Sequence, residues 1–593
     1  MNQETKICQN CKHEFTIEPE DFDFYKKISV PPPTWCPECR FIRRLTWRNE
    51  WRLFKKQDVH GKEIFSQFHR ESPVTIMRVE EWYSDSWDPL ATGRDYDFSK
   101  PFFVQIKELL KEAPILARSL IKPVESEYCM NAGDPKNCYL SFGLSYPENC
   151  TYVIWGAHVK DSMDCHMIFD SELCYGCVNI VKCYKSLFSF DCESCDEVIL
   201  SKNCIGCSNC FGCAGLKNKS YYIFNQPFSK EEYTRKLKEF DLGSRKSFKK
   251  LYEESFKQWI QSPHKYIHGT HNVNVLGDYI KNSKNALHCY RVIGAEDVKY
   301  CQNFTLGPAK DSYDHSNFGD SSELIYETLV SGNQVSNVKF SAQCYSSVSN
   351  AQYSIYCLNA SNLFGCVGMR NKQYCILNKQ YEKKEYEALI PKIIKHMNDM
   401  PYIDTKGRVY KYGEFFPSEL SPHTYNECAA GQEFFPLTKE EALRQGFLWR
   451  EPEKRPYVAT ISSTDLPDNI ADVTDSVLAE IIGCEHHGEC KHQCTTAFKV
   501  IAPELEFYKR RKIRLPLLCP NCRHAERITH RNPPRLWGRK CQCGGVGSSN
   551  KIYQNAVLHF HADKPCPNEF ETSYAPDRAE IIYCESCYQA EVS

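Results

Sequence analysis

The sequence predicts a multi-domain, mainly β protein in which zinc ribbons flank a duplicated β-solenoid-like Cys-rich repeat with short helices. Three observations predict it. A four-cysteine module stands near both ends. Cysteines of the middle region recur in steps of three. Part of that region returns 153 residues later. The elements divide the chain into a ribbon with a basic helix (1–56), an α+β linker (57–123), solenoid copy 1 with a helix (124–262) and copy 2 with a helix (263–400). A mixed linker (401–482), a second ribbon with a basic tail (483–540) and a zinc-binding segment (541–593) follow.

The first module is Cys8, Cys11, Cys36 and Cys39; the second is Cys490, Cys494, Cys519 and Cys522. In both, 24 residues separate the inner cysteines. The flanks also match: Phe24-Tyr25-Lys26 answers Phe507-Tyr508-Lys509, and Cys36-Pro37-Glu38-Cys39-Arg40 answers Cys519-Pro520-Asn521-Cys522-Arg523. Two such knuckles suit one tetrahedral Zn²⁺ held by four thiolates. The second copy departs in its Cys490-x-x-x-Cys494 spacing, which leaves open whether Cys490 or Cys484 is the fourth ligand. Cys541, Cys543, Cys584 and Cys587 make a third set, for about three zinc ions per chain. His559 and His561 offer substitute ligands, although one of them on a satisfied surface is the expectation, and Cys566 is expected to be packed or spare.

Thirteen cysteines lie between 129 and 213, all at positions divisible by three. Spacings of 18–21 residues recur among them, and coils of that length are expected, with Cys, Asn and aromatic ladders. Phe211-Gly212-Cys213-Ala214-Gly215 returns as Phe364-Gly365-Cys366-Val367-Gly368, and Lys160-Asp161-Ser162 as Lys310-Asp311-Ser312. The run Cys204, Cys207, Cys210, Cys213 suggests an iron–sulfur cluster, but Cys207 and Cys210 correspond to Ala360 and Leu363 in the second copy. Those residues replace a packed thiol and cannot replace a ligand, so the run reads as packing.

Helices are expected from about Pro101 to Glu112, after Ser229 and Thr438, from about Glu382 to His396, and around Val477–Ile482. Asp85 and Asp88, beside Trp and Pro, read as turn caps rather than catalytic carboxylates. The chain has 593 residues, 42% hydrophobic and 25% charged, too long for one core and too apolar for disorder. No apolar run approaches a membrane span and no secretory leader is read, so a cytoplasmic location without membrane partners is expected. There thiols stay reduced, and the 34 cysteines read as ligands or core rather than disulfides.

The CPxCR elements with their Arg-rich sequels, the repeated FGC-x-G element and the ending Tyr583-Cys584-Glu585-Ser586-Cys587-Tyr588 resemble a set of multi-zinc-ribbon proteins from small-genome bacteria. The resemblance covers most of the chain and implies an architecture and no activity.

The net charge of −1 hides basic runs beside both ribbons. Arg40, Arg44, Arg48 and Arg52 repeat every four residues, with Arg43 and Trp47 alongside; Arg523, Arg527, Arg531, Arg535 and Arg539 do the same. Arginine forks suit phosphates and Trp suits unpaired bases. The expected function is non-enzymatic nucleic-acid binding, with RNA or the ribosome ahead of DNA. A rival use for these arginines is pairing with acidic solenoid residues inside the protein. A protein-interaction scaffold is the alternative function. An enzyme is a third, without a nucleotide-binding, hydrolase or metalloprotease motif to carry it.

Overall fold

The period of three governs the backbone. The computed structural model describes residues 2–304, 307–453 and 457–592. From Asn131 to Phe224 every third residue has a positive φ near 50–70°. Each such residue turns a corner, so the chain runs as short sides of three residues. Four sides close a coil: one parallel ladder passes through Val124, Lys136, Glu148, Lys160, Glu172, Tyr184, Asp196, Ser208 and Ser220. The coil is therefore twelve residues long, not the 18–21 expected. The cysteine spacings that suggested longer turns are multiples of one side. The corners are rich in Asn, Asp and Gly, the residues that tolerate a left-handed backbone.

The residue after each corner points inward. So narrow a coil encloses only small or slender side chains, which is why its interior is Cys, Ser, Val, Ile, Leu and Ala. Cys and Ser add a second advantage by meeting inward-turned backbone groups. The Ser126, Ser162 and Ser171 hydroxyls accept N–H bonds from Cys138, Cys174 and Cys183, one coil on, at 2.9–3.1 Å. The Cys150 and Cys174 thiols donate to carbonyls two residues back at 3.3 Å. Outside, Asn149 bridges Asn137 and Asp161 in an amide ladder at 2.8–2.9 Å.

The chain forms two units, residues 1–119 with 267–451 and residues 120–266 with 452–593. Each combines one solenoid and one ribbon, in crossed order: the first ribbon joins the second solenoid copy, and the second ribbon joins the first copy. In the first unit the coils run from Val273 through Lys284, Glu296, Lys310, Glu323, Ser336, Ser349 and Ser361 to Gln373. Several carry an extra residue, and the interior takes Ile325, Val335, Val338 and Met369 beside its cysteines. Both solenoids end alike. Asn225 and Asn378 fold back and make paired amide bonds to the backbone of Ala214 and Val367, at 2.8–2.9 Å. This covers an otherwise open sheet edge.

The helices Phe102–Glu112, Lys230–Leu237, Lys383–Asp399 and Lys439–Arg444 form where capping and periodicity place them. Ser229 and Thr438 close capping boxes. Asp88 caps a short 3₁₀ turn by accepting the Leu90 N–H at 3.1 Å. Around Val477 the expected amphipathic helix is only a 3₁₀ turn, Asp475–Ala479, and Ile482 enters a strand.

Candidate metal centres and arginine latches

Each ribbon sets two cysteines at the start of a helix. Cys36 is the N-cap of helix Pro37–Leu45, and Cys519 that of helix Pro520–Ile528; Cys39 and Cys522 lie in the first turns. Thiolate charge there meets the positive end of the helix dipole. Cys8, Cys11, Cys36 and Cys39 gather their sulfurs within 4.8 Å of one another. The Cys11–Cys36 separation is 3.8 Å. A tetrahedral Zn–S bond of about 2.3 Å puts neighbouring sulfurs about 3.8 Å apart, so the spacing fits an ion. The Cys8 thiol is held well below its usual range by the thiols of Cys36 and Cys39.

In the second ribbon the four-sulfur set is Cys484, Cys494, Cys519 and Cys522. Cys484, not Cys490, takes the place of Cys8. The Cys519 N–H points at the Cys484 sulfur at 3.2 Å, as the Cys36 N–H points at Cys8. The longer spacing is a loop inserted into the knuckle. It carries His486, Cys490 and His492, which gather beside Cys522 as a second four-donor group. The C-terminal segment is regrouped in the same way. Cys541, Cys566, Cys584 and Cys587 form one set; Cys543, His559, His561 and Cys587 form another. Cys566 is thus in a ligand position rather than spare, and His559 and His561 face sulfurs rather than a bland surface. All described cysteines are free thiols. The solenoid run Cys204–Cys213 is in none of these groups.

The arginines that follow the ribbons turn inward. In the first unit Arg40 and Arg44 fork onto Asp314 at 2.8 and 3.0 Å, and Arg43 joins Glu327 at 3.0 Å and Glu414 at 2.7 Å. In the second unit Arg523 and Arg527 fork onto Asp164 at 3.0 and 2.9 Å. These are the same contacts: an offset of 483 relates the arginines and one of 150 the aspartates. Both aspartates occupy left-handed corners of a coil. Burial opposes the charge on Arg40 and Arg523 most strongly of any single influence, but the neighbouring aspartate together with nearby tyrosine and glutamate side chains outweighs it and holds both pKa values well above the usual range. Burial also raises the Glu327 and Glu504 carboxyls beside them.

Most of the Arg-lined face expected for nucleic acid is therefore turned inward. Arg40, Arg43, Arg44, Arg48, Arg523 and Arg531 are buried, as is Trp47, which packs on Phe416 at 4.9 Å. Arg48 pairs with Glu50 at 2.6 Å, and Arg531 meets His166 at 3.2 Å. Arg52 and Arg539 donate to the carbonyls of Asn426 and Ala575. Arg535 is exposed, near Trp537. The every-fourth-residue rows break because the helices stop at Leu45 and Ile528. The rival reading, pairing with acidic solenoid residues, is the one these contacts match; the sequence did not single out Asp164 and Asp314, although the Lys160-Asp161-Ser162 and Lys310-Asp311-Ser312 repeat stands two residues before them.

No protein-family model and no curated protein matches the chain. Among solved structures, a "putative acetyltransferase" from Desulfovibrio desulfuricans G20 aligns over 49% of this chain and 75% of its own at 12% identity. Its TM-score is 0.10, too low to bear on fold or activity. No helix among the described residues is long and apolar enough to cross a membrane.

Proposed function

We propose that the protein is a non-enzymatic, zinc-stapled interaction scaffold of a reducing, cytoplasmic compartment. The observation that carries this reading is the repeated arginine fork: Arg40 and Arg44 on Asp314, and Arg523 and Arg527 on Asp164. The basic faces are used to clamp a ribbon to a solenoid. Metal, helix, arginine and aspartate form one mechanical chain in each unit. Every metal-capable group offers four donors, which suits a closed structural ion rather than one that activates water. The free thiols suit zinc in a reducing setting.

A binding surface has to be sought elsewhere, and the C-terminal segment offers one. Val546, Ile552, Val557, Leu558 and Phe560 are large apolar side chains left exposed there, with Leu558 and Phe560 at 74% and 63%. Leu558 and Phe560 flank the buried His559, so a metal centre there would hold them rigid. Rigid exposed apolar side chains beside polar ones favour a protein partner over nucleic acid. The test is co-purification of the full chain from native cells. A protein partner should be retained by the parent and lost from the double variant Leu558→Asp, Phe560→Asp, whose metal content is unchanged. Co-purifying RNA that both proteins retain would contradict the scaffold and favour the nucleic-acid reading.

A further inference from the structure

The second ribbon and the C-terminal segment share an arrangement that the first ribbon lacks. Each has a four-sulfur set, and next to it one more cysteine and two histidines. In each, those three donors are completed by a sulfur already counted in the first set: Cys522 in the ribbon, Cys587 in the C-terminal segment. Three private donors leave an ion one short of a tetrahedron, and the shared sulfur supplies the fourth.

The distances agree with shared use. Cys522 lies 3.6 Å from Cys490, and Cys587 lies 3.7 Å from Cys566 in one group and 3.3 Å from His561 Nε2 in the other. His559 Nδ1 is 3.1 Å from the Cys543 sulfur. The outer ring nitrogens are held as metal-bound histidines usually are. His559 Nε2 meets the Glu591 carboxylate at 2.8 Å, and His561 Nδ1 meets the Lys564 carbonyl at 2.6 Å. In the ribbon, His486 Nδ1 and His492 Nδ1 are buried without a hydrogen-bond partner among the described residues. Buried, unpaired imidazole nitrogens beside two thiols are costly unless an ion takes their lone pairs.

We propose that each of these centres binds two zinc ions bridged by one thiolate, Cys522 in the second ribbon and Cys587 in the C-terminal segment. A thiolate has lone pairs enough for two ions. Each pair then has five thiolates and two neutral histidines, a net charge of −1. With the single ion of the first ribbon the chain holds five zinc ions, one for each four-donor group. The inference rests on the zinc reading above and goes beyond it in number and bridging.

The experiment is zinc and cobalt reconstitution of the full-length reduced protein, followed by metal analysis and native mass spectrometry. Five ions per chain are expected. Cys490→Ser with His492→Ala should remove one, Cys543→Ser with His561→Ala another, and Cys522→Ser two. Because Cys522→Ser removes a ligand of the main site and is prone to misfolding, magnetic susceptibility of the Co²⁺-loaded parent gives an independent reading. Thiolate-bridged pairs should lower the moment per ion below that of isolated high-spin Co²⁺. Three ions per chain, unaffected by the paired variants, would overturn the bridges and leave the zinc reading standing. Five cobalt ions with uncoupled moments would overturn the bridges as well. No bound metal would overturn both.

Discussion

Asp314 and Asp164 show how much one corner residue can carry. Each places a carboxylate between two arginines of the same helix, four residues apart, and all three groups are withdrawn from water. Such a pair is worth little relative to an apolar substitute, but leaving one partner unmatched is costly. Other buried ionisable groups give the first unit a pH signature. Burial lowers His315 and His423 to about 3 and His288 to about 4. These imidazoles are neutral when folded and protonate more readily when unfolded. Their contribution is complete above the unfolded value of about 6.5 and is lost as pH falls toward 3–4. In zinc-saturated protein, His315→Leu should therefore flatten the fall in stability between pH 6.5 and 4.5, by about 1 kcal/mol per pH unit. The check is denaturant unfolding at several pH values; an unchanged slope would refute the assignment.

The solenoid side of three residues is the element on which the structure turns, and it was half legible. Cysteines at every third position are visible in the sequence, and so are the corner residues before them: Asn137, Asn149, Asp164, Gly176, Asp191, Asn203, Gly206, Asn209 and Gly212 each precede a cysteine. What that spacing did not reveal was how many sides close a coil, because closure depends on hydrogen bonds to the next coil. The packing role of the cysteines, by contrast, was readable from Ala360 and Leu363 in the second copy. At the metal sites the twelve expected cysteines all fall in donor groups, but Cys490 and Cys543 change group and Cys484 and Cys566 join. A loop inserted into a knuckle shifts sequence spacing without moving the ligand position. The arginines misled because a four-residue repeat says which residues share a helix face, not what covers it. The narrow interior makes its own prediction. Ser already occupies inward positions, so Cys195→Ser should cost under about 1 kcal/mol, whereas Cys195→Phe overpacks and should cost about 3 kcal/mol or more. Gly212→Ala should also be costly, because φ is +66° and the new methyl would lie 2.4 Å from the Phe224 ring. Thermal midpoints of the three variants check the order; equal shifts would contradict the narrow coil.

At the scale of the molecule, the same assembly is built twice from segments far apart in the chain. A ribbon helix starting at a metal ligand is locked onto a solenoid corner 274 residues away in the first unit, through Arg40 and Asp314, and 363 residues away in the second, through Arg527 and Asp164. Similar aromatic contacts accompany each lock: Tyr25 on Tyr326 at 5.4 Å and Tyr508 on Tyr175 at 5.8 Å. Repetition of the whole contact makes the latch, rather than either ribbon alone, the unit that was duplicated. These arginines bind ribbon to solenoid instead of facing a ligand. A double-mutant cycle on Arg527→Gln and Asp164→Asn, read by denaturant unfolding of the metal-loaded chain, tests this most directly. Coupling of about 2 kcal/mol or more is predicted, in the range for partners within one buried network. Additive effects, with coupling near zero, would show Arg527 to be free of the solenoid and would contradict the account.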